Sequence, residues 1–336
     1  MSLRELEKLL EEWQQPHFHA EQIFSWIYQK EVATFDEMSN LPLSLRRKLK
    51  ENFYLFNLKQ LKILKSIDGT KKFLFALDDG NLVEAVTIPA RGRVTGCIST
   101  QIGCKFACRF CASGLLGFKR NLTTAEMLNE VLYLKAACQG RKLTHLVFMG
   151  TGEPFDNYDN VMKTIRIINT PQGLNIGARR ITVSTCGVIP GIERMADENL
   201  QIELSISLHA PDDKTRTMLM PSNKKYPIKD LVRACHSYVS RTNRQITFEY
   251  ILIQGVNCDV QKARELAKLL KGLNCKVNLI VYNPVRELPF KTPAKLEVLF
   301  FKDALIKSGI HCIIRKERGR DIDAACGQLR LLHSKG

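Results

Sequence analysis

Between about residues 95 and 315, short apolar runs alternate with amphipathic stretches, and no other feature of the chain constrains its fold as much. Thr144-His145-Leu146-Val147-Phe148-Met149 reads as a buried strand, and residues 157–169 follow as a helix. Further strands are expected at 180–185, 201–208, 245–253, 277–281 and 311–315. Helices are expected between them at 189–198, 227–241, 260–270 and 293–307. Such alternation favours a parallel sheet with right-handed crossovers. Roughly six units are too few to close an eight-stranded barrel. The expected fold class is therefore α/β, an open, partial (β/α)6 barrel. No internal repeat or low-complexity segment interrupts it.

The chain ahead of this region reads differently. Leu3, Leu6, Leu9, Leu10 and Trp13 recur at helical spacing, Pro16 interrupts them, and Ala20, Ile23, Phe24 and Ile27 form a second stripe. Phe35, Met38 and Leu41 lead through Pro42 into a basic helix at about 44–51. Residues 1–65 are expected to form a small helical accessory domain, whose basic helix suits a nucleic acid and equally ordinary packing. Apolar runs at 72–77 and 82–88 flank Asp78-Asp79-Gly80-Asn81, a hairpin signature. Residues 66–94 are read as a β-hairpin linker region, and 95–336 as the core with a C-terminal extension.

Fifty Lys and Arg against 34 Asp and Glu give a net charge of +16, which favours a polyanionic partner. Basic residues cluster at Arg46-Arg47-Lys48, Lys119-Arg120, Arg179-Arg180 and around Arg315, Lys316, Arg318 and Arg320. No basic amphipathic anchor stands out, so a nucleic acid is favoured over a membrane. No run of about 18 apolar residues is present. The charged N-terminus lacks the apolar centre of a signal peptide, so the expected location is the cytoplasm. There the 11 cysteines would stay reduced.

Three of those cysteines carry most of the chemistry. Cys104, Cys108 and Cys111 lie in Gly103-Cys104-Lys105-Phe106-Ala107-Cys108-Arg109-Phe110-Cys111. A [4Fe–4S] cube normally takes four cysteines. Three close thiolates leave one iron open to bind a small ligand and pass it an electron. A structural zinc site takes four protein ligands, usually as two close pairs. No second pair lies nearby, and no matching His pair exists. Downstream, Thr123-Thr124-Ala125-Glu126 is a capping box that should start a helix. The cysteine loop would then join a strand's C-terminal end to that helix, where (β/α) barrels build active sites.

Other residues at strand ends would line the same mouth. Gly150-Thr151-Gly152-Glu153-Pro154 follows the strand ending at Met149. Its glycines admit close backbone approach to a ligand, and Glu153 suits an ammonium. Ser184, Ser207-Leu208-His209 and Asn283 end later strands. Each of these would equally serve to satisfy a strand terminus. Cys97 precedes the cysteine loop and Cys326 lies near the C-terminus, both among small residues.

The three-cysteine motif resembles that of radical S-adenosylmethionine (SAM) enzymes. Together with Cys97, Phe148–Pro154, Ser207-Leu208-His209-Ala210-Pro211 and the run 321–329 around Cys326, it resembles the RlmN/Cfr family. These are radical SAM enzymes that methylate an adenosine of 23S rRNA. The likeness spans nearly the whole chain. One departure is Thr151, where the family usually has methionine.

The resemblance implies a TIM-like radical SAM barrel with a small N-terminal helical domain. It implies one [4Fe–4S] cluster held by Cys104, Cys108 and Cys111, with SAM on the open iron. Gly152, Glu153, Ser184, Ser207, Leu208, His209 and Asn283 would bind SAM, of which each turnover uses two. Carbon 2 of adenine is electron-poor and does not attack the methyl of SAM directly. The family's detour puts that methyl on Cys326 first, since a thiolate attacks it readily. A 5′-deoxyadenosyl radical then removes a hydrogen from the methyl, and the methylene radical adds to the ring. Glu84 would take the ring proton, and Cys97 would release the product by forming a disulfide with Cys326. The implied partners are 23S rRNA, tRNA as a second substrate, and an electron donor of the flavodoxin or ferredoxin type, with the enzyme a monomer. Two alternatives stay open: methylation at carbon 8, and a non-catalytic RNA-binding protein with a structural metal centre.

Overall fold

The computed structural model describes residues 1–322 apart from 116, 139, 286 and 317. Three helices come first: α1 (Leu3–Glu12), α2 (Phe18–Tyr28) and α3 (Leu43–Asn52). Ser2 caps α1 by accepting the Glu5 N–H, and Glu5 reaches back to the Ser2 N–H. The two leucine and aromatic stripes bury Leu6, Leu10, Ala20, Ile23 and Phe24 as their spacing requires.

Strands β1 (Lys59–Lys65), β2 (Lys71–Ala76) and β3 (Leu82–Ala90) follow, each antiparallel to the last, and β3 pairs antiparallel with β4 (Arg93–Cys97). Two expectations change here. The helical unit was expected to reach residue 65, but β1 occupies the last seven positions of that range. It is an edge strand with one neighbour, and it carries exposed lysines in place of an apolar alternation. The hairpin, expected as a linker, instead widens the core sheet through the β3–β4 pairing.

The two-residue strands β5 (Gln101–Ile102) and β6 (Arg120–Asn121) pair with each other and bracket the cysteine loop. The remaining strands are β7 (His145–Phe148), β8 (Ile181–Thr185), β9 (Glu203–Ser207), β10 (Ile246–Leu252), β11 (Cys275–Val281) and β12 (Cys312–Ile314). The large sheet has the order β1-β2-β3-β4-β7-β8-β9-β10-β11-β12. From β4 onward every neighbour in it is parallel and adjacent in chain order. That is the winding of a (β/α) barrel, left open because β1 and β12 are its edges among the described residues. The partial barrel expected from the alternation is present, with the three-residue β12 added to its six main parallel strands.

Helices α4 (Thr124–Ala136), α5 (Tyr158–Asn169), α6 (Ile189–Ala196), α7 (Asp213–Leu219), α8 (Ile228–Thr242), α9 (Val260–Leu269) and α10 (Lys295–Lys307) complete the fold. The expected capping box starts α4, and such a cap is worth about 1 kcal/mol. The short α7 was not anticipated. Asp212 caps it by accepting the Thr215 N–H. α4 is buried on nearly all sides because it is wedged between the sheet and the N-terminal helices. Tyr133 meets Phe73 and Phe75 edge-on, and Lys135 Nζ donates to the Tyr28 carbonyl at 2.8 Å. One continuous apolar core therefore runs from α1 to α10. No described helix is long and apolar enough to cross a membrane.

Candidate active site

The C-terminal ends of the parallel strands surround a cavity of about 670 Å³. Its lining includes Cys104, Cys108, Cys111, Gly152, Glu153, Ser184, Ser207, His209 and Asn283. Nine residues singled out along 180 positions of sequence thus meet around one space.

The cysteine loop is wound tightly by local geometry. Gly103 has φ +80°, and a Cβ there would stand 1.6 Å from the Gly117 carbonyl oxygen. No other residue fits that crossing. The Cys111 N–H donates to the Cys108 carbonyl at 3.1 Å, and the Arg109 N–H donates to Leu219 at 2.9 Å. Gln101 ties the loop to the next strand: its Oε1 accepts the Glu153 N–H at 2.9 Å while its Nε2 donates to Asn121 and Asp156.

The Gly-Thr-Gly-Glu turn after β7 needs both glycines. A Cβ on Gly150 would stand 2.5 Å from the Ile98 oxygen, and one on Gly152 (φ +110°) 2.6 Å from Gln101 Cβ. The turn aims Glu153 inward. Its carboxylate accepts the Phe155 N–H at 3.0 Å and the Cys186 N–H at 2.7 Å. Burial still raises its pKa, because two backbone donors do not replace a hydration shell. A ligand ammonium would supply the missing counter-charge. Thr151 is buried beside it, and among the described residues its Oγ1 has no hydrogen-bond partner.

His209 sits at φ +60° on the loop leaving β9. Its Nδ1 accepts the Ile251 N–H at 3.0 Å, so the neutral ring carries its proton on Nε2. Burial, with the nearby Arg216 cation adding to it, pushes its pKa down to about 3. The ring meets Phe110 of the cysteine loop edge-on, with centroids 4.8 Å apart. Leu208, expected in the same set, is fully buried and outside the cavity lining. Its N–H donates to Glu249 and its carbonyl accepts from Arg216.

Glu84 and Cys97 share one sheet face. Val86 pairs with Cys97 across the β3–β4 ladder, and Glu84 lies two residues along from Val86. Ile88 and Thr95 continue that face into the cavity lining. Glu84 and Cys97 themselves are buried and do not line the cavity. On sequence grounds Glu84 could have been a surface residue. It is instead 4% exposed and ion-paired at 3.1 Å with the fully buried Lys72. Cys326 lies outside the described residues.

Sequence reasoning missed four cavity or supporting residues. Lys72 was legible in part, since the hairpin register places it diagonally from Glu84. Cys186 and Glu249 line the cavity, the latter buried with an Oε2 that lies 3.9 Å from Arg315 and has no hydrogen bond among the described residues. Arg216 is fully buried and donates to the carbonyls of Cys186, Ser207, Leu208 and Tyr226 and to Asn223. Nothing in its local sequence marks it.

The three cysteines fit an iron–sulfur cluster by their donor chemistry. Burial pushes Cys104 up to about 12 and Cys108 well above the ordinary thiol value, and the neighbouring cysteines add to both. Cys104 and Cys108 are therefore poor anions alone, whereas a cationic iron group bound by the three cysteines would hold them as thiolates.

Known proteins bear on the same residues. Positions 98–270 match the model of the radical SAM superfamily, and positions 1–55 match that of the ribosomal RNA large subunit methyltransferase N-terminal domain. The chain is 48% identical over 336 residues to the probable dual-specificity RNA methyltransferase RlmN of Thermoanaerobacter sp. strain X514, covering 100% of this chain and 98% of the relative. It is 46% identical over 331 residues to the protein of that name from Clostridium novyi, covering 98% and 96%. The crystal structure of a radical SAM methyltransferase from Sphaerobacter thermophilus superposes with a TM-score of 0.95 at 44% identity, over 98% of this chain and 97% of that one. Identity at this level across the full length, on the same fold and through the cluster motif, places the chain in the RlmN family of the radical SAM superfamily.

Proposed function

We propose that this protein methylates carbon 2 of an adenosine in 23S rRNA, and an adenosine of tRNA, through a methyl group carried on Cys326. The observation that carries the reading is the meeting of three cysteines with the buried carboxylate of Glu153 in one cavity. The names of the relatives, dual-specificity RNA methyltransferases, support RNA as substrate. So do Arg93, Arg315, Lys316 and Arg318, which line the same cavity.

Cys104, Cys108 and Cys111 would hold a [4Fe–4S] cluster, which when bound supplies the electron that cleaves SAM to the 5′-deoxyadenosyl radical. Glu153 takes the amino group of SAM, and Gly152 keeps the wall thin enough for close approach. Ser184, Ser207, the loop at Leu208 and His209, and Asn283 orient the rest, with His209 offering Nε2–H as a donor. Cys326 accepts a methyl from a first SAM, its thiolate attacking the methyl carbon and releasing S-adenosylhomocysteine. Glu84 takes the ring proton from the adenine adduct, and Lys72 ion-pairs with it at 3.1 Å. The Cys97 thiolate then attacks the Cys326 sulfur and breaks its bond to the methylene carbon, which takes up a proton and leaves as the methyl group of the base. The electrons come from a flavodoxin- or ferredoxin-type donor, and the enzyme acts as a monomer in the cytoplasm.

Mass spectrometry of nucleosides from 23S rRNA and tRNA, with and without the gene, tests this. Loss of 2-methyladenosine from both RNAs is expected. Loss of 8-methyladenosine instead would move the reaction to carbon 8, and unchanged nucleosides would reject the function.

A further inference from the structure

The cavity holds a second buried carboxylate, and the steps assigned to the reaction leave it unused. Glu249 lies on β10, in register with Ser207 of β9 and Asn278 of β11. It is buried and lines the cavity. Asn278 Nδ2 donates to its Oε1 at 2.9 Å. Among the described residues its Oε2 accepts no hydrogen bond, and Arg315 Nη1 stands 3.9 Å from it, beyond hydrogen-bond reach. Burial raises the pKa of this carboxyl, and Arg315, Asn278 and Ser205 offset that only in part. The acceptor therefore lacks a donor that a ligand can bring. Arg315 is loosely held in turn. Its side chain is 44% exposed and also meets the Met149 sulfur at 3.9 Å. Arg93, Lys316 and Arg318 line the same cavity, so Arg315 belongs to a cationic rim suited to phosphate.

We propose that Glu249 recognises the target adenine, its Oε2 accepting the exocyclic amine of the base while Arg315 turns to a phosphate of the same RNA. The inference rests on the reading of an RNA adenosine as substrate and holds for either ring carbon. Adenine presents an amine at that edge, whereas guanine presents a carbonyl oxygen. A carboxylate attracts the first and repels the second, so Glu249 is a specificity-determining residue. The contact with Arg315 opens without stranding either charge. The guanidinium gains a phosphate, and the carboxylate gains a charge-assisted hydrogen bond. SAM carries the same amine and is the other source of it. The rim favours the RNA, because SAM has no phosphate and Oε2 stands 3.9 Å from a cation placed to bind one.

The test uses the anaerobically reconstituted holoenzyme and two forms of a 23S rRNA fragment. One carries adenosine at the methylated position, the other purine riboside, which lacks the amine. Thermal unfolding establishes that Glu249→Gln, Glu249→Ala and Arg315→Ala fold. The preference for adenosine is read as a ratio of kcat/KM values. Comparing that ratio between proteins cancels any intrinsic difference between the two rings. It should be about ten- to a hundredfold larger in the wild type than in Glu249→Ala, the worth of one hydrogen bond to a charged group. Glu249→Gln should lose the preference too. Asn278 keeps the amide oxygen, so the amide nitrogen replaces Oε2 and meets the amine donor with a donor. Arg315→Ala should lower kcat/KM several-fold for both RNAs alike, since a phosphate contact carries no base information. Equilibrium binding of SAM should agree within about twofold between the wild type and the Glu249 variants, as a hydrogen bond made elsewhere leaves it alone. An equal preference in the wild type and both Glu249 variants overturns the proposal. An unchanged preference with a tenfold loss of SAM affinity also overturns it and assigns the carboxylate to the adenine of SAM. A change of preference in Arg315→Ala as large as in Glu249→Ala overturns the division between phosphate and base. A wild type that methylates neither RNA overturns the function and this proposal with it.

Discussion

Replacing Arg216 with methionine should loosen the cavity wall without touching a ligand. The side chain is fully buried, and among the described residues no carboxylate pairs with it. Carbonyl oxygens solvate it instead: Cys186 at 2.7 Å, Leu208 and Tyr226 at 3.2 Å and Ser207 at 3.3 Å, with Asn223 Oδ1 at 2.8 Å. Three of these carbonyls belong to the loops leaving β8 and β9, which present Ser207, His209 and the Cys186 N–H that holds Glu153. Methionine matches the volume but donates nothing. Each stranded carbonyl costs about 1–3 kcal/mol. Relief of burying a cation, whose pKa burial lowers, returns several kcal/mol. The carbonyls outweigh that return, leaving a net loss of about 2–5 kcal/mol. At about 2 °C per kcal/mol for a chain of this size, the melting temperature should fall by about 4–10 °C. SAM affinity should drop at least about tenfold, since a shift of the Glu153 partner costs one charge-assisted bond. Anaerobic thermal unfolding and equilibrium binding of SAM read the two effects. Arg216→Lys keeps the charge, reaches fewer carbonyls and should fall between. An Arg216→Met protein as stable as the wild type, with unchanged SAM affinity, would falsify the claim that this cation organises the wall.

Cys97→Ala should trap a covalent protein–RNA species, seen as a shifted band that nuclease collapses, while Cys326→Ala and the double variant show none; normal methylation by Cys97→Ala with no band is incompatible with two-cysteine resolution. Protein reconstituted without air should hold about four irons per chain, and Cys108→Ala should lose most of them by iron quantification; stoichiometric zinc without iron would end the cluster assignment. Gly152→Ala should cost about 2–4 kcal/mol from its positive φ and its 2.6 Å clash with Gln101, whereas Gly177→Ala, with open space around it, should change stability little; equal urea midpoints for the two would refute the close-packed turn. Thr151→Val removes a buried hydroxyl that has no partner among the described residues and should raise stability by about 1 kcal/mol; a lower melting temperature would show that the hydroxyl is satisfied in solution.

The parts of this protein that its sequence determines are those governed by local periodicity and short spacing. The helix-period stripes of α1 and α2, the capping box of α4 and the strand–helix alternation after residue 95 each arise within a few turns of chain. They suffice for the partial barrel, and the barrel in turn puts strand-end residues at one mouth. The three cysteines fall within eight consecutive positions, so their shared chemistry is legible without a fold. The tertiary structure decides what depends on partners distant in sequence. β1 reads as polar chain because an edge strand needs little apolar surface, and only pairing with β2 makes it a strand. Arg216 reads as one arginine among many until five acceptors from three segments close around it. Glu84 changes from a plausible surface glutamate to a buried ion only when β2 brings Lys72 against it. The meeting of Asp321 with Ser66 spans 255 positions and leaves no local trace. A side chain's chemistry is written at its own position, whereas its burial, charge environment and reach are set by whichever segments the fold brings to it.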